Sequence, residues 1–183
     1  KLAKTAYVTN RGFKDILTLA RQTRPSLYAL EFPPIAPPVP AELCFETGGR
    51  ITHTAVVLDE LNEADITSLI KELTDAGVEA VAINLLFSFV DSSHESKIAE
   101  AIGKAFPALF ISKSSTVLPV YKEYERGIAT WLNAALGPVI SGYLGRLSEE
   151  LKEIPLQIMQ SSGETIAAAN AAESGVNLLL SGP

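Results

Sequence analysis

The chain has 183 residues, 47% hydrophobic and 20% charged, which excludes a disordered chain and suits one domain with a sizeable core. Fifteen Lys and Arg against 21 Asp and Glu leave a net charge of −6, and no basic run offsets it. Nucleic-acid binding through the phosphate backbone is therefore not expected.

No apolar run reaches the roughly 20 residues that span a membrane, and Lys1-Leu2-Ala3-Lys4 lacks the features of a secretory leader. A cytoplasmic setting is expected. Cys44 stands alone, so no internal disulfide forms, and His53 and His94 lack ligand-spaced carboxylates, so no metal site is expected. The sole Met is Met159, and Leu180-Ser181-Gly182-Pro183 reads as an apolar run entering a loop. Both features point to a segment of a longer protein.

Thr5–Thr9 is short and β-favouring. Thr9 or Asn10 caps a helix expected from about Gly12, with Phe13, Ile16, Leu17 and Ala20 at helical spacing. Arg24-Pro25 ends it, because the residue before Pro is pushed out of the α region. Pro33–Pro40 carries five prolines in eight positions and is expected to be polyproline II. Residues 31–41 read as a stiff crossing segment; the rival is a PxxP ligand, which a flanking basic residue would orient and none does.

Glu42–Leu58 reads as a β-ribbon turning at Gly48-Gly49, with Thr52-His53-Thr54 as the rival turn. Asn62–Ala76 is the clearest helix: Ile66, Leu69, Ile70 and Leu73 form one apolar stripe, and Gly77 suits a left-handed C-cap. Val78–Phe89 is apolar at nearly every position, which predicts a central parallel strand buried on both faces.

Ser92-Ser93-His94-Glu95 has the spacing of a capping box, which would put His94 and Glu95 in a first helical turn facing water; the rival is a catalytic dyad. Leu109–Ser112 is the next strand. Val120–Leu151 has helical spacing, and Gly137-Pro138 predicts a kink or two abutting helices. In its second part Ile140, Tyr143, Leu144, Leu147 and Leu151 share a face. In the first, Glu123, Glu125 and Arg126 read as helix-start acids and a solvated charge pair. Leu156–Gln160 is a strand; Ser161–Glu164 is a turn into an Ala-rich helix, Thr165–Ala172. That order can hold an anion on backbone N–H groups, although a plain β–α turn explains it better. Val176–Leu180 reads as a last strand. The pattern is α/β: a mixed, mostly parallel sheet with flanking helices and a small β-ribbon, forming one domain over residues 1–183.

Several stretches together resemble the hydantoinase A/5-oxoprolinase family. They are Thr9-Asn10-Arg11-Gly12-Phe13-Lys14-Asp15, Arg21-Gln22-Thr23-Arg24-Pro25 and Leu27-Tyr28-x-Leu30, followed by Gly77-Val78-Glu79-Ala80-Val81-Ala82. Leu85-Leu86-Phe87-Ser88-Phe89 with His94-Glu95, then Tyr121-Lys122-Glu123-Tyr124-Glu125-Arg126, continue the series. Gln160-Ser161-Ser162-Gly163 and Leu180-Ser181-Gly182-Pro183 complete it, in the family's order over nearly the whole chain. Three positions depart: Ser162 and Glu164 stand where the family commonly has Gln-Ser-Asn-Gly-Gly, and Gly127 stands where Ser or Thr is usual after Glu-Arg.

The resemblance implies a segment of an ATP-dependent hydrolase that opens hydantoin or 5-oxoproline rings, built on an actin/hexokinase-like ATPase of two halves. Its Asp-x-Gly-Gly-Thr loops do not occur here and would precede Lys1 and follow Pro183. ATP and a divalent cation are thus implied for the full-length parent and no cofactor for this segment, which alone is expected to be inactive. Implied partners are the nucleotide-binding halves of the same chain and a hydantoinase B-type subunit. Glu123, Glu125, Arg126, Gln160, Ser161 and Gly163 become candidates for substrate or interface contact, Ser181 and Gly182 for the edge of a nucleotide loop. No catalytic residue and no metal ligand is assigned. The alternative is a non-catalytic interaction module that docks through the Pro-rich run and the long helix.

Overall fold

Two short stretches are buried at every position and lie side by side in one sheet: Thr5–Asn10 and Ala80–Ile83. The structure, a computed structural model, describes residues 2–23, 26, 28, 31, 36–152 and 154–179. In chain order its strands and helices are β1 (Thr5–Asn10), α1 (Ile16–Leu19), β2 (Cys44–Thr47), β3 (Arg50–Ile51), β4 (Val57–Asp59), α2 (Glu63–Ala76) and β5 (Ala80–Ile83). They continue as α3 (Ser93–Ala105), β6 (Phe110–Lys113), α4 (Ser114–Val117), α5 (Glu123–Leu151), β7 (Gln157–Met159), β8 (Thr165–Ala167) and α6 (Ala168–Glu173). Three-ten turns occupy Ala41–Leu43 and Gly175–Leu178.

The main sheet has the order β2-β1-β5-β6 and every pair in it is parallel. Side chains alternate across it as the two-residue period requires. Ala6, Val8, Val81 and Ile83 face Ile66, Leu69 and Leu73 of α2 and Ile98 and Ile102 of α3. Tyr7, Ala80 and Ala82 face the other way, with Leu17, Val39 and Ala134 of α5. The small residues on that second face let the 29-residue α5 lie close against the sheet. This is the expected α/β class: a parallel sheet between helices, with small antiparallel ribbons beside it.

α2 forms as its sequence dictates. The Asn62 side chain accepts from the Asp65 N–H at 2.9 Å, Asp65 accepts from the Asn62 N–H at 3.3 Å, and Gly77 closes the helix at φ +57°.

Other elements differ from the reading. The helix after Gly12 is one turn long, because Ala20 and Gln22 take φ of +50° and +52°, which no α-helix continues. Arg24-Pro25 and residues 32–35 of the Pro-rich run lie outside the described residues; Pro40 has φ −57° and ψ 141°, the polyproline II values. Cys44–Thr47 joins the main sheet beside β1, so the ribbon is only β3 with β4 and turns at Thr52–Ala55, where the Thr52 N–H donates to the Val56 carbonyl at 2.8 Å. Gly48-Gly49 is instead the bend from β2 into β3, and a Cβ on Gly48 would lie 2.5 Å from the Glu60 carbonyl.

The apolar run beyond Ile83 leaves the sheet as a loop, with Phe87 at φ +58°. At α3, Ser92 makes no side-chain cap; Asp91 accepts from the Ser93 N–H at 2.9 Å. α5 runs through Pro138 as a single helix rather than two. The Ser141 hydroxyl donates to the Gly137 carbonyl at 2.7 Å one turn on. β7 pairs with β8 in an antiparallel hairpin, so the Ala-rich helix starts only at Ala168. No strand forms at residues 176–179; the Val176 N–H donates to Asn133 Oδ1 of α5 at 3.1 Å.

Candidate functional site

In open parallel sheets ligands settle at the carboxyl ends of the strands, and here those ends carry a buried polar cluster. Asn84, the first residue of the run leaving β5, donates through Nδ2 to the Tyr7 hydroxyl at 2.7 Å and to the Glu123 carbonyl at 3.1 Å. Asn10, ending β1, accepts through Oδ1 from the Leu86 N–H at 2.8 Å. Burial pushes the Tyr7 phenol up to about 12.

Arg126 enters this cluster from α5. The sequence reads it as half of a solvated charge pair, but only 1% of it is accessible. Its guanidinium donates from Nε to Asn84 Oδ1 at 2.9 Å, from Nη1 to the Val120 carbonyl at 2.7 Å and from Nη2 to the Leu85 carbonyl at 2.7 Å. The guanidinium carbon also lies 5.4 Å from the Phe89 ring centroid. Burial pulls its pKa below the ordinary arginine value, against the opposing pull of Glu95. Next to it, a Cβ on Gly127 would meet Asn84 Nδ2 at 2.8 Å and the Tyr7 hydroxyl at 2.9 Å. The space for a side chain at 127 is thus filled by its own neighbours.

Glu95 is the second correction. Instead of facing water it is 0% exposed. It accepts from the Leu85 N–H at 3.0 Å, the Ser114 hydroxyl at 2.6 Å and the Ser115 N–H at 2.9 Å, tying the loop after β5 to the end of β6. His94 does not join it in a dyad. Its Nδ1 lies 2.8 Å from the Gly49 carbonyl on the β2–β3 bend.

Glu123 and Glu125 do point outward from the first turn of α5. Glu125, with 29% of its side chain exposed, meets Arg21 Nε at 2.7 Å, bringing together two motif stretches 104 residues apart. Its own backbone N–H, and then Arg21, hold its carboxyl below the usual range. The pair borders a cavity of about 540 Å³ walled by Tyr124, Ile128, Leu132 and Val176.

Gln160, Ser161 and Gly163 sit apart from this pair. Gln160 and Ser161 border a second groove that shares Val176 with the first. Their turn closes the β7–β8 hairpin rather than opening a helix, and its N–H groups are engaged. Gln160 donates to the Glu164 carbonyl at 2.7 Å, Ser161 to Asn177 at 2.8 Å and Gly163 to Gln160 at 2.9 Å. Ser181 and Gly182 lie outside the described residues. Arg21, Asn84 and Tyr7 were missed as site residues. Asn84 carried a usable signal, since a polar side chain inside a doubly buried run must be hydrogen-bonded.

Among the described residues no group of three or more His, Cys, Asp or Glu side chains can hold a metal ion. No triphosphate cradle is present among them either. The carboxyl edge presents backbone donors to Glu95, Asn10 and Glu46, and the Ser/Gly turn donates to its own hairpin and to Asn177. These residues do not fit ATP.

Residues 1–106 match the family described as hydantoinase/oxoprolinase N-terminal region, and residues 126–183 match hydantoinase/oxoprolinase. The chain is 32% identical to caprolactamase subunit alpha of Pseudomonas jessenii over 85% of its own length and 23% of the relative's. It is 27% identical to 5-oxoprolinase of Saccharomyces cerevisiae over 98% of its own length and 16% of the relative's. The crystal structure of the ATP-dependent caprolactamase from Pseudomonas jessenii superposes with a TM-score of 0.84 at 26% identity, over 97% of this chain and 27% of that one. The chain thus spans less than a third of each of these proteins. Because the first match covers more than half of its residues, the chain belongs to the hydantoinase/oxoprolinase family.

Proposed function

We propose that these 183 residues form one α/β domain of an ATP-dependent hydrolase of cyclic amides, supplying substrate-side or subunit-interface surface. Two relatives are named for opening lactam rings, 5-oxoproline and caprolactam, and one of them is called ATP-dependent. The observation that carries the reading is the start of α5. Arg126 is sunk into the carboxyl edge of the sheet, and this anchors a first turn that turns Glu123 and Glu125 outward beside Arg21. A buried charge fixed by three hydrogen bonds gives the carboxylates beside it a defined position.

ATP and a divalent cation are assigned to nucleotide-binding halves of an actin/hexokinase-like ATPase beyond these residues. The caprolactamase relative is named as a subunit, which supports a B-type partner subunit for this protein. A cytoplasmic setting fits that role, and no described helix is long and apolar enough to cross a membrane.

The test is an assay of the full-length protein, with its partner subunit, on 5-oxoproline, hydantoin and ε-caprolactam. Ring opening coupled to ADP release is expected with at least one of them. Ring opening that proceeds equally without ATP, or none with any of the three, overturns the reading.

A further inference from the structure

We infer that the cavity beside Arg21 and Glu125 is the subsite that docks the amide edge of the ring, with Arg21 donating to its carbonyl oxygen and Glu125 accepting its N–H. This inference rests on the cyclic-amide reading above. In a small lactam the ring forces the amide to be cis, so N–H and C=O point to the same side. Such an edge needs one acceptor and one donor next to each other, and a carboxylate beside a guanidinium provides both.

The cavity is an open groove with the size of a small-molecule site. Its volume is about 540 Å³, within the range of ligand pockets, and its walls are mainly apolar with few polar groups. Ile128, Leu132 and Val176 face ring methylenes, while Arg21, Thr23 and Glu125 provide the polar groups. Only Nε of Arg21 is engaged among the described residues, which leaves other guanidinium donors for a carbonyl. Glu125 is held in its ionised form, in which it only accepts.

The backbone also favours a site over an incidental surface ion pair. Ala20 and Gln22, on either side of Arg21, both take left-handed φ, +50° and +52°. Non-glycine residues in that region are strained, and such strain concentrates where a side chain must be presented in one place. An ordinary exposed ion pair needs neither the strain nor the cavity.

The experiment uses the full-length protein with Arg21→Met, Glu125→Met and the conservative Arg21→Lys. Binding is read by saturation-transfer NMR with 2-pyrrolidinone and with N-methyl-2-pyrrolidinone, which lacks the N–H; KM and kcat are read on whichever lactam is turned over. Wild type is expected to prefer 2-pyrrolidinone, and Glu125→Met to lose that preference. Both Met variants should raise the lactam KM about tenfold or more, with the ATP KM and melting temperature unchanged, and Arg21→Lys should fall between. Equal binding of both probes by wild type, no binding of either, or unchanged KM and preference in the variants overturns the inference. If wild type turns over no lactam with ATP, the functional reading fails by itself, and the two binding probes still decide the cavity.

Discussion

Glu95 and Arg126 hold the backbone of one residue from both sides: the Leu85 N–H donates to Glu95 Oε1 at 3.0 Å, and the Leu85 carbonyl accepts from Arg126 Nη2 at 2.7 Å. Each is a buried charge with three hydrogen bonds, so removing either strands buried polar groups on the other elements. Glu95→Gln places an amide donor against the N–H of either Leu85 or Ser115, which sit on different carboxylate oxygens. Arg126→Met strips Asn84 Oδ1 and the Val120 carbonyl of their donor and leaves the Leu85 carbonyl only the Ser88 N–H at 3.4 Å. Each substitution is expected to cost about 2–4 kcal/mol, or roughly 5–15 °C in melting temperature. Because both act on the backbone of Leu85, the double variant should cost less than the sum of the two. Urea denaturation of both singles and the double checks this, and additive costs would show that Leu85 does not couple them.

Two glycines of α5 are expected to respond in opposite senses to the same substitution. A Cβ on Gly137 would lie 2.3 Å from the Phe110 ring, whereas nothing is within 4 Å of one on Gly145. Gly145→Ala should stabilise by roughly 0.5–1 kcal/mol, the usual gain in a helix. Gly137→Ala should destabilise by about 1–3 kcal/mol through overpacking, and Phe110→Leu should restore part of that loss. Thermal melts of the three variants and of the Gly137/Phe110 pair decide it. Stabilisation at both glycines would mean that α5 can shift away from β6.

The sequence made β5 and α2 legible because the deciding forces there are local: a run buried on both faces, and caps within four residues of the helix they close. Where partners come from far along the chain, the reading failed. Ser92-x-x-Glu95 has capping-box spacing, yet Glu95 is taken by Leu85, Ser114 and Ser115, up to 20 residues away. Arg126 looked like a solvated partner of Glu125 until the fold delivered the acceptors of Asn84 and Leu85, some 40 residues back. In residues 161–172 a three-residue strand pairing overrode an Ala-rich helical preference. Nothing in the pattern of either stretch places Arg21 beside Glu125; 104 residues and one buried helix start separate them.

Alkaline pH should weaken the fold in a defined window. Burial pushes the Cys44 thiol up to about 11, helped by Asp15 and Glu42, and pushes the Tyr7 phenol up to about 12. Unfolded, these groups titrate near about 8.5 and 10, so above those values the unfolded chain binds fewer protons than the folded one. Stability is then full below about pH 8.5 and falls as pH rises, first from Cys44 and then, above about pH 10, from Tyr7. Urea midpoints between pH 8 and 11 check it. Cys44→Ala should flatten the earlier part of the fall, and an identical decline in that variant would remove Cys44 as its source. For the same reason iodoacetamide should label Cys44 slowly at pH 7.5 and faster as pH rises.

Ala20 offers a way to separate strain from stability at the Arg21 cavity. Its φ of +50° and ψ of −142° fall in a region that glycine occupies freely and alanine does not. Relieving that strain recovers about 1–3 kcal/mol, while glycine costs roughly 0.5–1 kcal/mol in chain entropy. Ala20→Gly is therefore expected to leave the melting temperature unchanged or to raise it by a few degrees. The same substitution frees the backbone beside Arg21, so the guanidinium meets Glu125 Oε1 less often. A stable variant that binds 2-pyrrolidinone several-fold more weakly is the expected result, read from a thermal melt and a ligand titration on one sample. A melting temperature lowered by more than about 5 °C would show that alanine is needed there for folding. Unaltered binding at unaltered stability would show that the left-handed turn has no part in placing Arg21.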